Sequence, residues 1–109
     1  MLETRVNQAV SLIRDFLARR SISIEKVVVF GSYARNAQTV DSDVDIAVVS
    51  GDFEGKDIFQ RAAMLKGLKW ALAEKIPLPF DIISVSSSEW NDESSLMVEH
   101  IKSGAQVAA

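Results

Sequence analysis

The sequence predicts an α/β protein of the two-layer α+β type, in which helices pack on a small β-sheet. Three short runs rich in β-branched residues are typical of strands. Segments with apolar residues at helical spacing alternate with these runs, which gives the order α-β-α-β-α-β-α. The chain has 109 residues, of which 48% are hydrophobic and 25% are charged. Residues 1–109 are therefore expected to form a single domain.

The first half of the chain contains two predicted helices. Residues 4–19 carry apolar side chains along one helical face, which favours an amphipathic helix. A short second helix is expected over residues 32–37, directly after a Gly-Ser turn. The apolar face of the first helix consists of Val6, Ala9, Val10, Ile13 and Leu17.

The second half of the chain contains two more predicted helices. Asp57 followed by Gln60 is typical of a capping box, and Pro77 ends the helix that begins there. A last helix can end at Gly104. The apolar positions are Ile58, Ala62, Leu65, Leu68, Leu72 and Ile76 in the long helix, and Leu96, Met97 and Ile101 in the last one.

Three strands are predicted between these helices. Residues 26–30 are apolar on both faces, which indicates a strand in the middle of the sheet. The other two strands are expected over residues 43–49 and residues 80–85. Residues 38–42 and residues 86–91 are polar and are expected to be connecting loops.

Composition excludes several classes of function. The net charge of −3 argues against direct binding to nucleic acid, which requires a basic surface. Because the chain has no cysteine, it can form neither a disulfide nor a zinc–thiolate site. No apolar stretch is long enough to cross a membrane, so a cytoplasmic protein is expected. The one histidine, His100, is expected to be a partly exposed packing residue on the last helix.

Two carboxylates at the start of the second predicted strand indicate a metal site. Asp43 and Asp45 project from the same face, because alternate residues of a strand do so. Two adjacent like charges are unfavourable unless a cation neutralises them, and Mg²⁺ prefers carboxylate oxygens. Gly31 and Ser32 form a turn whose backbone N–H groups could bind phosphate. Together these features predict a nucleoside triphosphate site, at which two Mg²⁺ ions could assist an in-line displacement.

The same residues resemble a known family signature. Gly31-Ser32-Tyr33-Ala34-Arg35 with Ser42-Asp43-Val44-Asp45 is similar to the G-S-x-A-R…S-D-x-D pattern of the minimal nucleotidyltransferases, which belong to the DNA polymerase beta-like nucleotidyltransferase superfamily. Asp81 matches the third acidic position of that family. The resemblance covers about residues 5–104. Asn36 departs from it, because the family usually has Gly there; Asn tolerates a left-handed backbone, so the turn is expected to be kept.

The resemblance implies a nucleotidyltransferase fold with a small mixed sheet and a magnesium-dependent transfer of a nucleoside monophosphate, AMP from ATP, to a hydroxyl group. It implies that Asp43, Asp45 and Asp81 bind metal, and that Asp81 also activates the acceptor. Gly31, Ser32, Arg35 and Ser42 are the expected nucleotide-binding residues. Minimal nucleotidyltransferases commonly pair with a HEPN-domain ribonuclease toxin and act as antitoxins that place AMP on a tyrosine of the toxin. A HEPN partner is therefore expected, and a homo-oligomer is left open.

The sequence leaves the roles of several residues open. Arg35 could contact phosphate or pair with Asp41, and Ser42 could orient Asp43 or only stabilise a turn. Trp70 and Trp90 are expected to lie in the core or at an interface rather than to stack on a base. Residues proposed as anchors for a partner, with packing inside the domain as the alternative, are Trp90, Leu96 and Met97.

Two other functions remain possible from the sequence. One is a nucleotidyltransferase for a small-molecule acceptor, as in antibiotic-modifying relatives, with its acceptor site at a dimer interface. The other is a non-catalytic antitoxin that only binds and covers its partner. The complete set of Asp43, Asp45 and Asp81 favours an active enzyme over the second of these.

Overall fold

The computed structural model describes residues 2–108, which contain six α-helices and one short 3₁₀-helix, Gly51–Phe53. The first helix has the predicted bounds, and its predicted apolar face is buried. A short helix directly follows the first strand, as predicted, but it ends three residues earlier than expected. The helices are α1 Thr4–Arg19, α2 Gly31–Ala34, α3 Ile58–Met64, α4 Leu68–Lys75, α5 Ser87–Trp90 and α6 Leu96–Lys102.

Four strands form one mixed sheet in the described residues. They are β1 Lys26–Phe30, β2 Val44–Ser50, β3 Phe80–Ser86 and β4 Gln106–Val107, in the spatial order β3-β2-β1-β4. β2 pairs with β1 in the antiparallel sense and with β3 in the parallel sense. β1 lies between β2 and β4 and is therefore inside the sheet, as its apolar sequence predicts. β4 was not expected from the sequence, and it pairs with Val28 and Val29 of β1.

Helices cover both faces of this sheet. Val44, Ile46 and Val48 of β2 point to the face that packs against α1 and α4. Ala47 and Val49, which alternate with them, point to the face that packs against α5 and α6. The second face is also the side of Asp45, because side chains two residues apart on a strand share a face.

The prediction of one long helix from Asp57 to Ile76 is wrong in one respect, because the structure has two helices there, α3 and α4. The predicted capping box is present, with Gln60 N donating to Asp57 Oδ1 over 2.8 Å. Gly67 then has a φ of +90°, which a continuous right-handed helix cannot accommodate. The helical spacing of apolar residues continues across Gly67. Ile58, one of these apolar residues, is nevertheless 75% exposed.

Other differences from the predictions concern the connector after β3 and the tryptophans. Residues 86–91 contain α5, which Ser86 and Glu89 begin with a second capping box. Trp90 is buried, so the expectation of a core position is confirmed and its proposed role as a partner anchor is wrong. Trp70 is 73% exposed, so it is not a core residue. Within residues 2–108, every helix falls short of the length and apolar character that a membrane span requires.

Candidate active site

The turn between β1 and α2 brings the backbone of Gly31 against the carboxylate of Asp45. Phe30 is opposite Asp45 in the β1–β2 register, so the chain leaves β1 beside this carboxylate. Gly31 has a φ of +71°, in the left-handed region that glycine adopts without strain. A Cβ at this position would overlap Asp45 Oδ2 and lie 3.3 Å from Asp45 Cγ. Glycine therefore allows this close approach without a left-handed strain and without moving the Asp45 carboxylate.

The sheet register places three carboxylates at one end of the sheet. Asp45 is directly opposite Asp81 in the parallel pairing of β2 with β3. Asp43 precedes Asp45 by two residues and lies just before β2, which begins at Val44. Asp45 is half-buried, whereas Asp43 and Asp81 are exposed. The strand pairing thus sets Asp81 beside Asp45, and Asp43 precedes them at the same end of the sheet.

The three carboxylates interact electrostatically. The pKa of Asp45 is raised, first by its partial burial and then by the negative charges of Asp81 and Asp43. A positive charge on His100 acts in the opposite direction and lowers the pKa of Asp45. The ionised Asp45 is therefore unfavourable in the folded protein, and a cation at this point would relieve the repulsion.

A divalent cation suits this donor set, although the side chains do not enclose a single point. Among residues 2–108, no three acidic or histidine side chains are close enough together to hold a metal ion in their present positions. Asp43 and Asp81 are exposed, so their side chains have room to turn toward an ion next to Asp45. Clustered carboxylate oxygens beside an open glycine turn are the chemistry that Mg²⁺ prefers.

Ser42 closes the loop that leads into Asp43. Its hydroxyl accepts a hydrogen bond from Thr39 N over 2.9 Å, and Ser42 N donates to Thr39 O over 3.1 Å. Of the two roles left open by the sequence, these bonds favour the turn. Asn36, in the same connection, has a φ of +55°, so the expected left-handed conformation is confirmed.

Arg35 lies at the end of α2 and is exposed. Its aliphatic stem is beside Gly104, where a Cβ would stand 3.4 Å from both Cγ and Cδ of the arginine. Within the described part of the chain, Arg35 forms no ion pair with Asp41. The guanidinium of Arg35 is therefore not held in the ion pair with Asp41 that the sequence left open.

His100, which was expected to be a partly exposed packing residue, belongs to α6. It lies in the last turn of α6, it is exposed, and its charge acts on Asp45. α6 buries Val98 and Ile101 against the sheet and leaves His100 exposed. This arrangement is set by tertiary packing, so the sequence alone could not assign it.

The acids lie at an open end of the sheet and not in a deep cleft. A groove of about 440 Å³ runs between the end of α1 and α3, lined in part by Arg20, Lys56 and Met64, and it contains none of the candidate site residues. Asp43 and Asp81 are instead accessible from solvent. A large acceptor could therefore reach them without entering a pocket of this chain.

Comparison with known proteins identifies the family of the chain and some of its relatives. Residues 10–103 match the family model described as a nucleotidyltransferase domain. A relative from Methanocaldococcus jannaschii, named "Putative protein adenylyltransferase", is 38% identical over 64 residues. The matched region is 59% of this chain, and it spans only 62% of the length of that relative.

Two solved structures share the fold. The first is described as a "putative nucleotidyltransferase" from Sulfolobus solfataricus, with a TM-score of 0.63, 20% identity and coverage of 94% of this chain and 78% of that chain. The second is described as a toxin-antitoxin with AMP-PNP, with a TM-score of 0.61, 22% identity and coverage of 91% of this chain and 71% of that chain. These likenesses confirm the predicted fold class. Because the family model covers nearly the whole chain, this protein belongs to the nucleotidyltransferase domain family.

Proposed function

We propose that this chain is a magnesium-dependent adenylyltransferase that moves AMP from ATP to a hydroxyl group of a partner protein. In this proposal it is one cytoplasmic domain that acts as the antitoxin of a HEPN ribonuclease. The observation that carries the catalytic part is the meeting of Asp45, Asp81 and the Gly31 turn at one end of the sheet. Family membership supports the reaction class.

The nucleotide side of the proposed site is the turn after β1. Gly31 and Ser32 present backbone next to Asp45 without an intervening side chain, so phosphate oxygens could come close to both the backbone and the carboxylate. Arg35, one turn further, supplies a guanidinium that can bind phosphate through two parallel hydrogen bonds. Ser42 contributes by fixing the loop that ends at Asp43.

Asp45, with Asp43 and Asp81, would hold the magnesium, and we propose that two ions bind there. Bound Mg²⁺ supplies positive charge that stabilises the phosphate oxygens during transfer. The electrostatics of the chain favour this occupancy, because burial and then the charges of Asp81 and Asp43 raise the pKa of Asp45, and a bound cation would stabilise its ionised form. The half-buried Asp45 is the fixed member of the set, and the two exposed acids adjust around it.

The acceptor side of the proposed site is Asp81. β3 is the outer strand of the sheet on this side, so Asp81 is exposed to an incoming partner. Its carboxylate can accept the proton of the acceptor hydroxyl. The hydroxyl oxygen then forms a bond to the α-phosphorus, the bond from that phosphorus to the bridging oxygen breaks, and pyrophosphate leaves. Positioning and electrostatic stabilisation supply most of the rate enhancement in such a transfer.

A protein acceptor is supported by the relatives and by the open site. The relative from Methanocaldococcus jannaschii bears the name of a protein adenylyltransferase. One structure with the same fold is a toxin-antitoxin with AMP-PNP, which has an adenosine and a triphosphate-like chain as ATP does. On α6, Leu96 is 80% exposed and Met97 is 46% exposed, so both remain candidate anchors for the partner. Methionine is enriched at the centres of protein interfaces.

The proposed function is tested by incubating the purified protein with labelled ATP, Mg²⁺ and the product of the neighbouring reading frame. We expect label on the partner and a gain of one or more AMP units in its intact mass, most of it on tyrosine. Label on a free small molecule instead would show the antibiotic-type enzyme. A stable complex without label on either would show an antitoxin that only covers its partner.

Replacing Asp81 by Asn separates the acceptor role from nucleotide binding. If Asp81 acts mainly on the acceptor, transfer is expected to fall by about 10²-fold, the scale of a lost general base, while the affinity for Mg²⁺–ATP falls by less than about 10-fold. Calorimetric titration and the rate of label transfer measure the two quantities. Asp41→Asn, in the loop before β2, serves as the control and should change neither. A near-normal rate in the Asp81 variant would remove this residue from the mechanism.

A further inference from the structure

β4 lies beside the turn that carries the proposed nucleotide-binding residues. It runs antiparallel to β1, with Gln106 opposite Val29. Phe30, the next residue of β1, is opposite Asp45, and the chain then enters α2 at Gly31. β4 therefore reaches the end of the sheet at which the Gly31 turn meets Asp45.

The side chain of Gln106 contacts α2 directly. Residues opposite one another on paired strands share a face of the sheet, so Gln106 projects on the same face as Val29. Tyr33 and Ala34 of α2 are buried in the apolar cluster that contains Val29. On this face, the side-chain amide of Gln106 donates a hydrogen bond to Ala34 O. The bond joins two segments that are 72 positions apart in the sequence.

This bond satisfies a carbonyl group at the end of a very short helix. The last carbonyl groups of a helix have no partner inside it. α2 has four residues, and the backbone N–H groups that follow it donate to Ser32 O and Tyr33 O. Gln106 supplies the donor for Ala34 O, and Ala34 is buried. Because a buried carbonyl without a donor is unfavourable, the bond holds α2 in its place beside the sheet.

A second contact from the same segment reaches the residue that follows α2. Gly104 has a φ of +71°, and a Cβ there would stand 3.4 Å from both Cγ and Cδ of Arg35. The chain just before β4 thus lies against the aliphatic stem of Arg35. The segment that contains Gly104 and Gln106 therefore contacts both the end of α2 and the arginine after it.

We propose that Gln106 is a positioning residue for the donor nucleotide, which it serves by holding α2, through Ala34 O, where the Gly31–Ser32 turn and Arg35 can bind phosphate. This inference rests on the proposed function, because it assumes that the turn takes ATP. Gln106 acts through α2 and not on the nucleotide itself. When the position of α2 that binds phosphate is less populated, the apparent affinity for the nucleotide falls in proportion.

The test uses Gln106→Met, which keeps the length of the side chain but removes its N–H donor. Because Gln106 is half-buried and Met is of similar size, the variant should fold. Loss of the bond is expected to weaken Mg²⁺–ATP binding by about 3- to 10-fold in calorimetric titration. The titration is made well below the melting temperature, where the variant is fully folded. A bond that only stabilised the fold would then leave the affinity unchanged.

Amide hydrogen exchange measures the intermediate step, the loosening of α2. The backbone N–H groups of Arg35 and Ala37 donate to Ser32 O and therefore report on this helix. In Gln106→Met they should exchange about 3- to 10-fold faster, while the amides of α1 keep their rates. Val107→Thr is the matched control, because Val107 is on the same strand, is exposed and projects from the other face. It keeps a β-branched side chain and should change neither measurement.

The outcomes that contradict this inference differ from those that contradict the proposed function. Unchanged Mg²⁺–ATP affinity in Gln106→Met, with binding by the unmodified protein, overturns the role of Gln106 alone, even if the melting temperature falls. Weaker binding without faster exchange in α2 also overturns it, as does an equal loss of affinity in Val107→Thr. An unmodified protein that binds no Mg²⁺–ATP overturns the proposed function, and this inference with it.

Discussion

Replacing Asp45 by Asn is expected to abolish transfer and, at neutral pH, to make the protein more stable. Asp45 is the half-buried centre of the three carboxylates, so its loss should lower the transfer rate by at least about 10³-fold, as loss of a central catalytic group does. The same replacement removes a charge that burial and two neighbouring acids make unfavourable. A gain in stability combined with a loss of activity is typical of functional residues.

The effect on stability should depend on pH in a defined direction. The folded-state pKa of Asp45 is raised, so its ionisation destabilises the folded protein above that pKa. Below the ordinary aspartate pKa of about 3.9, the group is protonated in both the folded and the unfolded state. The advantage of the Asn variant should therefore be full at neutral pH and disappear as the pH falls toward about 4. Thermal unfolding of both proteins across this range, without metal, measures the difference; a gap that persists at low pH would contradict the electrostatic explanation.

Replacing Gly31 by Ala is expected to reduce both stability and activity. A left-handed backbone costs a non-glycine residue about 1–2 kcal/mol, and here the new Cβ would also overlap Asp45 Oδ2. Because a displacement of about 1 Å in a catalytic site can lower the rate by 10²-fold, the shift of Asp45 should reduce transfer by more than that. Unfolding in urea and the transfer assay measure the two losses.

Gly55 provides a matched control for this prediction. It has a φ of +70°, nearly that of Gly31, but a Cβ there would meet nothing within 4 Å. Gly55→Ala should therefore show the backbone cost alone and leave transfer unchanged. The additional loss in Gly31→Ala then reports the contact with Asp45, and adding Asp45→Ala should recover part of the lost stability. Equal destabilisation in the two glycine variants would mean that the site tolerates a side chain at Gly31.

Local patterns in the sequence predicted the parts of the fold and the site that depend on local chemistry. The bounds of α1, the strand after it and the left-handed Asn36 follow from periodicity, burial and turn preferences. The pairing of Asp43 with Asp45 follows from the alternation of a strand. Asp81 was different, because only the family resemblance connected it to the other two. The register that places it opposite Asp45 is a property of the assembled sheet.

The parts that were missed depend on tertiary structure. Apolar spacing continues through Gly67, so periodicity alone could not show that the predicted long helix is divided there. Whether a tryptophan is buried depends on what the fold places next to it, as the different exposures of Trp70 and Trp90 show. β4, with two residues, is too short to have a pattern that the sequence could show.

β4 is the last strand to be synthesised, and this leaves an edge of the sheet uncovered while the protein is being made. β1 gains its neighbour β2 early, but its other edge is covered only when residues 106–108 have been made, with Ala108 N donating to Val27 O. The ribosome adds about 5–20 residues each second, so roughly 60 residues of delay leave this apolar edge open for about 3–12 s. An uncovered edge strand can pair with other chains. A nascent chain of this protein thus contains the site acids before β4 covers the open edge of β1. It should benefit from a chaperone during that interval.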